Sequence, residues 1–584
     1  MRRHLKDSLT GIAALPKRSV LSQLGVALRE SLRGYGTGDL KRDVMAGLVV
    51  GIVALPLAMA LAIASGVPPQ YGLYTSIVAG AVIAVLGGSR VSVSGPTAAF
   101  VVLLVPISTQ YGIGGLALAS FMAGWILFVL GIARLGRLIK FIPYPVTTGF
   151  TAGIAVVIAG LQVKDFLGLR PDSTPQHFTE RMVEYARALP TFQPWELAVG
   201  AFTLVILIVW PRITKRVPAP LVAIGVAAVA AYWLARSVPG FEVATIGSRF
   251  GGIPRLPPHF DWPWNLPGPD GQPFEMSLNT LRTLMSPAIA IAALAAIESL
   301  LCAVVADGMA GTRHDSDVEL TAQGIGNMVA PLFGGFAATG AIARTATGIR
   351  AGARSPISAL THAVFVLIAV VVLAPLLSWL PMAALAALLL LVAWNMSEAR
   401  HFVHILKVAP KSDVAVLLTC FFLTVIFDMT IAVSAGIVLS ALLFMRRMSD
   451  MFQAELDDAQ QTLPVADPQM QGVVVYSIRG PLFFGAAEKA VSTLARVASG
   501  TKAVILRMDG VPVMDISGLV ALESAVQRLH KARIFVAIAG VQPQPREVLD
   551  KAGIRSDPAW IEVCDNDEEA IAAVREHIRS RVGS

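Results

Sequence analysis

GGFAATGAIARTATG, residues 334–348, is the stretch on which the fold turns, because it sets one arginine, Arg344, among glycines, alanines and threonines in a mostly lipid-soluble chain. A guanidinium within a membrane segment is disfavoured by ~2.5–3.5 kcal/mol on insertion scales, so it faces a partner, a cavity or a substrate. Its charge selects an anion. The stretch has a counterpart about 245 residues earlier, where Ser94-Gly95-Pro96-Thr97 overlays Thr339-Gly340-Ala341-Ile342. Both follow one plan: short extended residues (Val91 to Ser94; Phe336 to Thr339), a glycine, then a helix start. Interrupted apolar segments at matching places in two halves point to a transporter's binding site, since half-helix N-termini project unpaired N–H groups and a positive dipole end into the midplane.

Working outward, 55% hydrophobic and 15% charged residues in a chain of 584, with a mean hydropathy of +0.66, define a polytopic membrane protein. The net charge of +8 comes from short basic clusters between apolar runs, which the positive-inside rule explains and nucleic-acid binding does not. Cys302, Cys420 and Cys564 have no disulfide or metal spacing. No metal or cofactor is expected. The basic N-terminus lacks a cleavable apolar region, so it is expected to stay cytosolic.

Apolar runs fall at about 43–64, 73–87, 97–108, 113–133, 145–163, 195–210 and 218–235, then at about 283–307, 319–333, 341–350, 356–378, 381–396, 412–428 and 430–446. The third member of each set is too short to cross alone. Fourteen segments as seven plus seven invert the second half. Clusters at Arg134, Arg137 and Lys140, at Arg212, Lys215 and Arg216, at Arg350 and Arg354, from His401 to Lys411, and at Arg446 and Arg447 all fall inside by this count. The expected layout is a cytosolic segment 1–42 with an interfacial helix over 21–33 (Leu21, Leu24, Leu28 and Leu32 on one stripe), repeat one 43–235, an extracytoplasmic connection 236–280, repeat two 281–447, a linker 448–470 and a cytosolic α/β domain 471–584.

Several motifs together resemble the sulfate permease family of secondary anion transporters with a C-terminal STAS domain: AGLVVGIVALPLAMALAIASGVPPQYGLY (46–74), GGSRVSVSGPTAAF (87–100), AIESLLCAVVADGMAGT (296–312), the Arg344 stretch and MDISGL (514–519). Within the family the chain looks most like the bacterial branch associated with C4-dicarboxylates, through residues 296–312, 341–359 and 376–399. The resemblance implies a carrier and not an enzyme, a core domain moving against a gate domain, a homodimer in the cytoplasmic (inner) membrane, and an anion held where the two half-helices meet. It carries the first half-helix role to Thr97, Ala98 and Ala99 and the second to Ala343, Arg344 and Thr345. Leu57 and Leu61 stand where sulfate-handling members often have Gln and Tyr, which favours a substrate with a carbon backbone.

Read on their own chemistry, Arg344 either forks a carboxylate or pairs structurally with a neighbour such as Glu298. Glu298 lies in the middle of a span with no cation three or four residues away. It is read as the proton-coupling group, against a neutral structural role. An ionised Glu298 repels a dianion and protonation relieves this, which is symport by linkage. Sodium coupling is less favoured, because Glu298 and Cys302 replace the Asp and Thr of sodium-coupled relatives. Pro56 and Pro96 are expected to break helices, Pro56 alternatively to kink one. His362 and Asp428 are read as packed or interfacial near span ends. Asp515 and Ser517 occupy the loop where related antagonists carry a phosphorylated serine, and the simpler reading is a helix cap. The function expected is proton-coupled uptake of a small C4-dicarboxylate (succinate, fumarate, malate or aspartate). Sulfate, sodium-coupled bicarbonate or chloride carriage, an anion channel and a signalling scaffold are the alternatives. Membrane lipids and a cytosolic partner of the STAS domain complete the expected partners.

Overall fold

The computed structural model describes residues 19–136, 143–175, 177–214, 217–427, 429–450, 453–458, 470, 472–483, 500–557 and 559–582. The basic residues Arg137, Lys140, Lys215 and Arg216, together with Asp428, the first eighteen residues and residues 484–499, lie outside them. The chain divides into two compact units, Met1–Ile437 and Val438–Ser584.

In the first unit, α1 (Thr37–Ala64) and α2 (Pro69–Leu86) precede a two-residue strand, β1 (Ser94–Gly95), and α3 (Ala98–Ile132). Then come α4 (Tyr144–Leu167), the short α5 (Phe178–Arg187), α6 (Pro194–Ile213) and α7 (Ala219–Ser237). The second half repeats the order with α8 (Leu278–Ala310), α9 (Ser316–Val329), β2 (Thr339–Gly340), α10 (Ile342–Arg350), α11 (Ile357–Leu377), α12 (Met382–Ser397), α13 (Ala399–Val408), α14 (Lys411–Ile426) and α15 (Met429–Asp450), whose residues from Val438 on belong to the second unit. Among the described residues ten helices are long and apolar enough to cross a membrane. The remaining expected segments are accounted for by length. α9, α10 and α14 are short. The 35-residue α3 would be ~53 Å long as one rod, well beyond a ~30 Å hydrocarbon core. It is two limbs, because Gly112 inside it is non-helical (φ 68°, ψ −165°). Gly112 is open to no other residue, since a Cβ there would enter the backbone of Gly268.

Two packing groups follow from the contacts. α1, α2, α3, α8, α9, α10 and α11 pack on one another, whereas α4 packs against α12 and α14, and α6 against α7 and α12. The first group encloses the two strands. Buried Asp43 in α1 ties this group together, accepting from the Arg354 and Ser355 N–H groups (2.7 and 3.2 Å), the Ser355 hydroxyl (2.5 Å) and the Tyr35 phenol (2.7 Å). Burial, then that hydrogen bond to a carboxylate, pushes the Tyr35 phenol up to about 12.

Three expectations are corrected here. The amphipathic helix over 21–33 is broken into a 3₁₀ turn, Val20–Gln23, and a helix, Val26–Ser31. Gly25 between them takes φ 71° and donates its N–H to the Leu86 carbonyl (2.8 Å), so docking on the end of α2 overrides the leucine stripe. Pro56 does not break its helix. α1 runs through it without interruption, the cost of the missing N–H being offset by packing on α2 and α11. Residues 453–458, within the segment read as linker, form β3 (Gln453–Asp458), whose polar sequence is tolerated on a sheet edge.

The second unit is a five-stranded sheet in the order β3-β4-β5-β6-β7, with β4 (Val473–Arg479), β5 (Ala503–Gly510), β6 (Phe535–Ala539) and β7 (Ile561–Cys564). β3 is antiparallel to β4 and the rest are parallel. Parallel strands are buried on both faces, which their continuous apolar runs reflect. α16 (Ile516–Lys531) and α17 (Pro543–Lys551) contribute to the core with Tyr476, Leu506 and Ile538, and α18 (Asp567–Val582) to that with Val475, Ile505 and Ala537.

Candidate functional site

β1 and β2 are antiparallel partners, Ser94 opposite Gly340 and Gly95 opposite Thr339. The two stretches overlaid in the sequence therefore meet across a local two-fold. Each strand leads directly into a helix, and neither helix is capped by a side chain: the N-cap of α3 is Thr97 and that of α10 is Ala341. The first-turn amides of a helix have no intrahelical acceptor. Two sets of free N–H groups, each at a positive dipole end, thus begin at adjoining strands.

Arg344 is 1% exposed. Its side chain runs back under the opposite leader, Nη2 donating to the Pro96 carbonyl at 3.2 Å and Nη1 to the Ser76 hydroxyl at 3.4 Å. Nε has no partner, and among the described residues no carboxylate lies within 4 Å of the guanidinium. The structural alternative, a pairing with Glu298, is not found. Both terminal nitrogens of the guanidinium are thus engaged by the protein itself rather than left as an open fork. Gly95 makes this passage possible: a Cβ there would collide with Nη1.

Glu298 in α8 is half-buried. It accepts the Thr97 hydroxyl at 3.0 Å, which joins the Glu298 carboxylate to the N-cap of α3. One turn on, Cys302 lies 3.3 Å from the Thr345 hydroxyl and 3.6 Å from that of Ser92. Thr345 itself is buried and accepts the Val93 N–H at 2.9 Å, so it fastens the residue that leads into β1 to α10. Ala98 and Ala99 are buried, while Ala343 and its neighbour Ile342 are exposed. Leu57 is half-buried and Leu61 is 1% exposed, so of the two leucines only Leu57 contributes surface. His362 lies in the second turn of α11, fully buried behind Gly80, with neither ring nitrogen hydrogen-bonded.

Sequence reasoning missed the scaffold that holds the leaders. Glu319, Gln323 and Asn327 recur every fourth residue along α9 and are all buried. Glu319 accepts the Gly88 and Ser89 N–H groups (3.0 and 3.1 Å), Gln323 donates to the Ser94 hydroxyl (2.9 Å), and Asn327 bonds both the N–H and the carbonyl of Ala338 (2.7 and 2.9 Å). From α8, Ser299 meets the Thr339 hydroxyl (2.7 Å) and accepts the Gly340 N–H (3.1 Å). The four-residue spacing of Glu319, Gln323 and Asn327 along one helix was the available signal.

In the second unit Asp515, not Ser517, is the N-cap of α16, accepting the Gly518 N–H at 2.7 Å. Ser517 is half-buried in the first turn. Among the described residues no cluster of three metal-ligating side chains is found.

Comparison with known proteins agrees with this architecture. The profile of the sulfate permease family matches residues 40–420 and that of the STAS domain residues 465–570. YvdB of Bacillus subtilis (strain 168), provisionally named a sulfate transporter, is 43% identical over 524 residues, 89% of this chain and 95% of its own. The bicarbonate transporter BicA of Picosynechococcus sp. (strain ATCC 27264 / PCC 7002 / PR-6) is 28% identical over 539 residues, 88% of this chain and 91% of its own. The structure of the murine anion transporter Solute Carrier 26 family member A9 superposes with a TM-score of 0.81 at 18% identity, over 98% of each chain.

Proposed function

From the premise that this chain belongs to the sulfate permease family and is an anion transporter, not an enzyme, we propose that it carries a small inorganic oxyanion of the sulfate or bicarbonate kind. The anion binds between the starts of α3 and α10, and movement of the core group past the α4–α6–α7–α12–α14 group exposes it to each side of the cytoplasmic membrane in turn. One observation supports this above all: two helix N-termini without side-chain caps begin on paired strands over a buried guanidinium that has no acid partner. A buried cation without a counter-charge is costly, and an anion at the helix starts relieves that cost. The names of the relatives weigh toward sulfate and bicarbonate rather than the C4-dicarboxylate expected from the sequence.

A dicarboxylate is kept as a second reading, on the apolar residues Leu57 and Leu61 that stand where sulfate-handling members of the family often have Gln and Tyr. Glu298 is the proposed proton site, since its bond to Thr97 ties its protonation to the helix that receives the anion. Sodium is the less favoured coupling ion. The proposal includes a homodimer and a cytosolic STAS domain with a partner of its own.

The test is uptake of labelled sulfate, bicarbonate and succinate into proteoliposomes holding the full chain, with an inward proton gradient and after an uncoupler. Saturable uptake of sulfate or bicarbonate supports the main reading, and uptake of succinate alone moves the substrate to the second. Gradient dependence that vanishes in Glu298→Gln assigns the proton. Uptake of none of the three overturns the carrier reading.

A further inference from the structure

Beside the half-helix lies a cavity of about 550 Å³ that the site described above does not include. It is lined by Val102 and Leu103 of α3, Leu161 of α4, Ser286 of α8, and His177 and Arg181 at the start of α5. It therefore sits in the seam between the group that holds the leaders and the group around α4. Its depth follows from helix rise: Val102 is roughly 6 Å along α3 from Ala98, and Ser286 is roughly 18 Å along α8 from Glu298. The cavity runs from near the helix start toward the membrane face that carries α5.

Arg181 is 7% exposed. Its Nε and Nη2 both donate to the Pro175 carbonyl, at 2.9 and 2.6 Å. Among the described residues no carboxylate lies within 4 Å of it and none lines the cavity. The nearby acid Glu184 points elsewhere, to Arg187 at 3.5 Å. A buried guanidinium held by a neutral carbonyl keeps its full charge, and no acid on the cavity wall answers it.

We propose that Arg181 forms an entry station for the transported oxyanion, a second anion-binding site in the seam, above the one at the helix starts. This rests on the anion-carrier reading. The anion is drawn to Arg181, sheds part of its hydration against the apolar wall, and passes along α3 to the free amides beyond Thr97. Two cationic stations in series also keep the deeper site from holding the anion too tightly, since a second anion at Arg181 repels the first.

The test uses the purified full-length protein carrying Leu161→Cys, with the rate of maleimide labelling read on the peptide that bears it. Sodium sulfate or sodium bicarbonate is titrated at constant ionic strength. We expect saturable protection. Arg181→Gln, which keeps a donor for the Pro175 carbonyl, should raise the half-protecting concentration about ten-fold. Arg181→Lys should recover most of it, and Arg344→Ala should leave protection at Leu161 in place. Absence of saturable protection in the parent protein, or an unchanged half-protecting concentration in Arg181→Gln, overturns the entry station. Arg181-dependent protection in a chain that transports neither ion would instead overturn the carrier reading while keeping this anion site.

Discussion

Both leaders are two-residue strands bonded to each other, and each runs into a helix whose first amides no side chain caps, yet the first has a hydroxyl at its N-cap and the second a methyl. Thr97 reaches across to Glu298, which binds the first leader to a group that can take up a proton. The second leader has no such link. It contributes Arg344, whose side chain crosses to lie under the first. Inverted repetition therefore fixes the backbone of the site symmetrically, while its chemistry is divided: a titratable acid answers to one half and a fixed cation comes from the other.

The largest effect should come from removing the fixed cation. Arg344→Ala is expected to weaken equilibrium binding of the transported anion to the purified protein about 100-fold; unaltered affinity would show that the amides suffice and that the division is only apparent. Next is the scaffold of the second leader. Asn327→Ala leaves the Ala338 N–H and carbonyl without their partner and should lower stability by about 2 kcal/mol, read as a fall in Tm. Gly95→Ala retains every charge but pushes the guanidinium aside, and about a ten-fold loss of affinity is expected. Its mirror, Gly340→Ala, meets Cys302 Cβ at 2.9 Å and Ser299 Cα at 3.2 Å, so it should cost stability before affinity. Equal affinity losses at the two glycines would erase the contrast. The smallest change is expected of Thr97→Val, about five-fold in affinity and accompanied by a moved pH profile of uptake, because Glu298 loses its donor.

Much of the site was legible because its signals are violations. Arg344 and Glu298 stand out in apolar runs, and Ser94-Gly95 and Thr339-Gly340 interrupt helices that should otherwise continue. What could not be read was direction. Periodicity places Thr345 on the same short helix as Arg344 but does not say that its hydroxyl turns to Val93. Nor does it say that the Arg344 side chain passes beneath Gly95. The polar stripe of α9 escaped because Gln323 and Asn327 are common on helix surfaces, and only long-range packing buries them. β3 escaped for the opposite reason, since an edge strand has no need of an apolar pattern.

Pro96 and Arg344 are 248 positions apart in the chain. At a synthesis rate of ~5–20 residues per second, roughly 12–50 s separate the emergence of the first leader from that of the arginine that lies under it. For most of that interval β1 has no strand to pair with, since β2 and the residues Glu319 and Gln323 that steady residues 88–94 are made only toward its end, and Thr345 follows after it. The first repeat thus enters the membrane as an unfinished template with open polar groups. The second repeat completes it, so the paired leaders over Arg344 cannot exist in a nascent chain that stops short of α10.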